Sequence, residues 1–129
     1  MGHGGTEGQV VAVVDDDESV RVAIRSLLRS LGFRVEVFAS AEGFLEARHD
    51  KIACLIVDVR LPGMSGLDLQ RQLTAAGDRV RMIFISAHAG AGVQQQALAA
   101  GALAFLPKPF PEHALIDAVR SAIGPSARS

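Results

Sequence analysis

The chain has no tryptophan, no tyrosine and a single cysteine among its 129 residues. One cysteine cannot close an internal disulfide, and no second thiol suggests a zinc site. Cys54 lies inside the apolar run 52–57 and reads as a small core hydrophobe. An excess of charge of one sign is also missing. The 13 basic and 14 acidic residues leave a net charge of -1, so the balance points neither to nucleic acid nor to an anionic membrane. No apolar stretch is long enough to span a bilayer. Residues 1–8 lack the basic-then-hydrophobic order of a secretory signal, which makes a cytoplasmic location the expectation. Those eight residues are glycine-rich and read as a flexible lead. They precede the first strand, whereas a dinucleotide glycine loop has to follow one.

What is present suffices for one domain with a core: 49% of the residues are apolar and 21% charged. The apolar run 10–14 reads as a buried strand and stops at Asp15, Asp16 and Asp17. Val20, Ile24, Leu27, Leu28 and Leu31 recur at helical spacing, and Gly32 is placed to end that helix. Phe33, Val35 and Val37 alternate with Arg34 and Glu36 as a half-buried strand. Ser40 is placed to cap a short helix carrying Phe44 and Leu45. Residues 52–57 form a third strand, apolar on both faces and ending at Asp58. A Pro/Gly turn over 60–66 follows, and Ser65 with Asp68 opens a helix that Leu69 and Leu73 continue and Gly77 ends.

The fourth strand, 82–85, ends at Ser86, and a loop of small residues runs on to Gly92. A weak helix over 93–100 ends at Gly101, and 102–106 is the fifth strand. Pro111 suits the first turn of a last helix whose buried face is Leu115, Ile116, Val119 and Ile123, and Gly124-Pro125 stops it. There is no composition break and no internal repeat, so 9–124 is predicted as one domain and 125–129 as a tail. Strict β-α alternation with continuously apolar strands predicts an α/β fold, a doubly wound (βα)5 domain with a parallel sheet covered on both faces.

The polar residues gather at strand ends: Asp15, Asp16 and Asp17, then Asp58, then Ser86, then Lys108 after Pro107. In a sheet ordered 2-1-3-4-5, the strands that carry them are consecutive and their ends share one pocket. Such sheets bind ligands at the carboxyl ends of their strands. Adjacent carboxylates repel one another, and the end of a buried strand is a costly place for them unless a cation neutralises them. Carboxylates without His or Cys prefer a hard cation, and Mg2+ typically takes one or two of them together with waters and a phosphate oxygen. Lys108 suits a phosphoryl oxygen, Ser86 can donate to another, and an aspartate can serve as the nucleophile that becomes phosphorylated. Taken singly, these residues have ordinary explanations: Asp15 and Asp16 as helix caps, Lys108 as a solvated lysine, Phe105 as a core aromatic, and His88 as an exposed loop histidine.

Together, four segments resemble the response-regulator receiver domains of bacterial two-component signalling. They are Val13-Val14-Asp15-Asp16, the stretch 55–66 (Leu-Ile-Val-Asp-Val-Arg-Leu-Pro-Gly-Met-Ser-Gly), Ile85-Ser86-Ala87, and Phe105-Leu106-Pro107-Lys108-Pro109-Phe110. The likeness extends over residues 10–123, and Ser40-Ala41-Glu42 with Lys108-Pro109-Phe110 is similar to the branch typified by the nitrogen-fixation regulator FixJ. The resemblance implies a flavodoxin-like sheet in the order 2-1-3-4-5. It implies that Asp58 accepts a phosphoryl group from the phosphohistidine of a sensor histidine kinase. Asp16 would ligate Mg2+ directly, Asp15 through water, and Asp58 and the Arg60 backbone carbonyl would complete the set. Lys108 would pair with the phosphoryl group, Ser86 would move toward it, and Phe105 would rotate inward. The Lys108–Pro109 bond would be cis. The face built from the fourth helix, fifth strand and last helix would then engage an unknown downstream protein, and a homodimer on phosphorylation is compatible with this. No nucleic acid and no membrane is expected as a partner of this chain.

Three features depart from the common pattern. Ser86 stands where threonine is frequent, Pro107 places a second proline beside Lys108, and Gly90 and Gly92 loosen the loop before the fourth helix. Two rival classes are open. Asp15-Asp16-Asp17-Glu18-Ser19 approximates the start of a haloacid-dehalogenase-type phosphatase, with Asp15 as nucleophile and Asp17 as acid/base, but it leaves Asp58 without a role. A receiver-fold interaction module that is never phosphorylated is the other.

Overall fold

The structure, a computed structural model, describes residues 9–87 and 90–123. The expected lead 1–8, His88, the helix stop at 124–125 and the tail 125–129 lie outside the described residues.

Among the described residues five strands and five helices alternate. The strands are β1 (Val10–Val14), β2 (Arg34–Phe38), β3 (Ile52–Asp58), β4 (Arg81–Ser86) and β5 (Ala104–Pro107). The helices are α1 (Glu18–Ser30), α2 (Ala41–Ala47), α3 (Gly66–Ala75), α4 (Ala91–Ala99) and α5 (Glu112–Ile123). All strand pairings are parallel and the order is β2-β1-β3-β4-β5, as the resemblance implies. Every residue of β1 is buried, because helices cover the sheet on both sides. Val10, Ala12, Val14, Leu55 and Val57 pack with Phe44, Leu69, Leu73 and Ala97 of α2, α3 and α4. Val11, Val13, Cys54 and Ile56 pack on the other side with Ile24, Leu28, Leu115 and Val119 of α1 and α5.

The strand-to-helix turns at the carboxyl edge are closed by caps. Asp17 accepts from the Ser19 amide at 2.9 Å, and Ser40 accepts from the Gly43 amide at 3.0 Å. Ser65 and Asp68 form a reciprocal capping box. At the opposite edge α1 stops at Gly32, whose φ of +93° lets its amide turn back to Arg29 while Phe33 reaches Leu28. This stop makes Leu31 the C-cap, just outside the helix in which its spacing had placed it, and leaves it 41% exposed. Ile116 is likewise only partly covered, and Ala118 takes the core position beside Val119. α4 begins at Ala91, two residues before the predicted start, so Gly92 is helical, and β5 lies later than expected and includes Pro107. No helix among the described residues is long and apolar enough to cross a membrane.

Candidate functional site

Strand order reverses between β1 and β3, and the crevice at such a point lies beyond the carboxyl ends of the strands. Val14 pairs with Val57, so Asp15 and Asp58 leave the sheet side by side. The Asp15 amide still donates to Phe38 at 3.1 Å, which holds its side chain over the sheet end, fully buried. Asp58 is 7% exposed, and Asp16 is exposed at the mouth. Each of these three aspartates offers an oxygen within 4.8 Å of the other two. Lys108 arrives from the end of β5 and bridges the two buried acids, its Nζ 2.9 Å from Asp15 Oδ2 and 2.9 Å from Asp58 Oδ2. The remaining oxygens are also engaged: Asp15 Oδ1 accepts from the Asp17 amide at 2.9 Å, and Asp58 Oδ1 from the Arg60 amide at 3.0 Å.

Ser86 closes β4 and is 1% exposed, and its carbonyl accepts from the Lys108 amide at 2.7 Å. That bond explains why Pro107 is tolerated. In a parallel edge strand alternate amides face outward, and the missing one at Pro107 falls on the free edge of β5. The Lys108–Pro109 peptide is cis. Arg60 is exposed, with its amide turned to Asp58. Phe105 is 7% exposed, its ring stacked on Phe84 at 6.3 Å between centroids.

The electrostatics follow from burial and pairing. Burial pushes the Asp15 carboxyl above its usual range, and the nearby Asp58 charge adds to this, although the Asp17 amide and Lys108 pull it back. Burial works to lower Lys108, but hydrogen bonds and attraction from Asp58 and Asp15 outweigh it and hold the ammonium above its ordinary value. The pocket is therefore an all-oxygen acid site with one built-in cation.

Three further residues shape this site in ways the sequence did not assign to them. Arg21 Nη1 donates to the Asp15 carbonyl at 2.7 Å and ties α1 to the acid turn. Gly66 allows α3 to start against the end of β3: a Cβ there would stand 2.5 Å from the Asp58 carbonyl oxygen and 3.1 Å from Phe84. Glu42 accepts from the Met64 amide at 2.9 Å, across the turn that follows Asp58. A charged residue on an exposed helix face carries no signal of such contacts. Gly66 was visible as a member of the turn cluster and of the 55–66 segment, but its close approach to β3 was not.

The fold and site define a flavodoxin-like α/β domain with buried acids, a hydroxyl and a lysine at the switch-point edge of its parallel sheet. The family model described as "Response regulator receiver domain" matches residues 11–120, and the chain belongs to that family. It is 44% identical over 130 residues to the response regulator protein TodT of Pseudomonas putida, covering 98% of this chain and 57% of that protein. It is 41% identical over 123 residues to the transcriptional regulatory protein FixJ of Azorhizobium caulinodans, covering 94% and 58%. Among solved structures it resembles the response regulator StyR, with a TM-score of 0.85 and 50% identity, over 93% of this chain and 61% of that one. The chain thus spans a little more than half the length of the curated relatives it matches. As a receiver domain, it is a module of two-component signalling.

Proposed function

We propose that this domain, residues 9–124, is a phosphorylation-driven switch whose phosphoacceptor is Asp58. The observation that carries the proposal is Lys108 Nζ lying 2.9 Å from an oxygen of both Asp15 and Asp58, with Asp16 beside them. A carboxylate oxygen of Asp58 attacks the phosphorus of a kinase phosphohistidine. The phosphorus–nitrogen bond breaks, and the leaving imidazole nitrogen takes up a proton from water. Lys108 turns from the Asp58 carboxylate to the new phosphoryl oxygens, and the Ser86 hydroxyl donates to another of them.

The donor set, three carboxylates with no His or Cys, fits Mg2+. Asp16, Asp58 and the Arg60 carbonyl would hold it, with Asp15 acting through water. When bound, Mg2+ would neutralise charge on the transferring group. Hydrolysis of the acyl phosphate resets the chain, which acts as a catalyst only upon itself. Phosphorylation adds nearly two charges to the pocket and favours the state in which Ser86 and the buried Phe105 face inward. The α4–β5–α5 face then meets a downstream protein or a second copy of the chain.

Acetyl phosphate with Mg2+ should add one phosphoryl group to the chain, seen by intact mass. Asp58→Asn should take up none while keeping its amide spectrum. Labelling that survives in Asp58→Asn but is lost in Asp15→Asn would favour the phosphatase chemistry instead.

A further inference from the structure

We propose that Glu42, on α2, is a positioning residue for the cation side of this pocket, holding the loop between β3 and α3 in the shape that presents the Arg60 carbonyl. The proposal rests on the Mg2+ reading of the pocket given above. The loop, residues 59–65, leaves the sheet immediately after Asp58. Its feet are pinned close to the acids. The Val59 amide donates to Ile85 at 3.0 Å, the Gly66 amide returns to Val59 at 2.9 Å, and the Arg60 amide donates to Asp58 at 3.0 Å. The crest is different, because Pro62 has no amide to offer.

There the Met64 amide donates to Glu42 Oε2 at 2.9 Å, a bond to a helix 22 positions earlier in the chain. The same oxygen lies over Gly63. A side-chain carbon at Gly63 would stand 2.7 Å from it, so the glycine leaves the room that the carboxylate occupies. The Met64 amide also holds the Glu42 carboxyl below its ordinary range, which keeps it an ionised acceptor.

Glu42 itself has a firm base. Ser40 caps α2 at 3.0 Å, and Phe44 is fully buried against the sheet. The Glu42 side chain is exposed and contributes nothing to the core. Its bond therefore serves the loop, and through the loop the Arg60 carbonyl that the Mg2+ reading assigns as a ligand. Groups hydrogen-bonded to a metal ligand typically change metal affinity by about 10–100-fold, and Glu42, acting through the loop, belongs at the low end of that range.

The test is a Mg2+ titration of the chain followed by amide chemical shifts, on Glu42→Ala, Glu42→Asp and Glu42→Gln. Aspartate keeps an acid in the first turn of α2 but falls short of Met64. Glutamine keeps the reach and an acceptor oxygen but not the charge. Alanine and aspartate should each weaken Mg2+ binding by about tenfold and move the Met64 amide signal. Glutamine should bind close to the unsubstituted chain, and melting temperatures should stay together. Should alanine fail to fold, the aspartate variant carries the test alone. Wild-type affinity in the aspartate variant, or a loss in glutamine as large as in alanine or aspartate, would overturn the proposal. Absence of any Mg2+ response in the unsubstituted chain would instead sink the pocket reading, and this proposal with it.

Discussion

Arg48 grips Asp78 at the edge of the sheet away from the acid pocket, through Nε at 2.8 Å and Nη2 at 2.6 Å, while its Nη1 donates to the Ile52 carbonyl at 2.9 Å. The hydrogen bonds from Arg48 hold the Asp78 carboxyl below its usual 3.8, and the Val80 amide adds to this. A depressed carboxylate stabilises the fold above its unfolded value, and that contribution is lost as pH falls through the folded one. Asp78→Asn should therefore cost about 1–2 kcal/mol at pH 7. The gap between the two melting curves should close well below pH 3.8. A gap that persists in acid would show that packing, not charge, is lost. Asp15, Asp58 and Lys108 were legible as a set, because ionised groups gathered at the ends of apolar runs are costly without partners, although Asp15 or Lys108 alone has an ordinary explanation. Arg48, Asp78, Arg21 and Glu42 were not, because charged residues in helices and loops are usually solvated and their partners lie far along the chain.

Among the elements, α4 is the least anchored. Ala97 is its one buried residue, and Gly90 at its start offers no side-chain cap. Gln70, buried on α3, donates through Nε2 to the Ala97 carbonyl at 3.0 Å and fastens the far end of α4. Gln70→Ala should cost about 1–2 kcal/mol. It should also speed amide exchange in α4 more than in α1, and equal exchange in the two helices would count against the tie. The same looseness explains why the start of α4 was misjudged from sequence: with little to bury, it has no strong apolar period. The helices with clear stripes and capping residues, α1 and α3, were legible. β3 shows the limit of period-two reasoning. A register shift between Val10 and Val11 skips Ala53, so Ile52 and Cys54 face opposite sides although two apart.

In the whole molecule, the acid pocket is the place where ligand binding and folding meet. If Mg2+ binds the folded pocket and not the unfolded chain, Mg2+ at about a hundred times its dissociation constant adds about 2.7 kcal/mol. Melting followed by circular dichroism should show a rise with Mg2+, its reversal by a chelator, and a much smaller rise in Asp16→Asn. An equal rise in that variant would place the ion elsewhere. By itself the sequence determined the five β-α units, the strand ends that carry acids, hydroxyl and lysine, and the family likeness, because periodicity, caps and turn residues act over a few positions. Only the tertiary structure decided that Lys108 bridges an acid 93 positions away and another 50 away, that Phe105 lies against Phe84, and that Glu42 reaches over Gly63. Those contacts depend on sheet order, register and loop shape, which arise when distant segments pack together and leave no local trace.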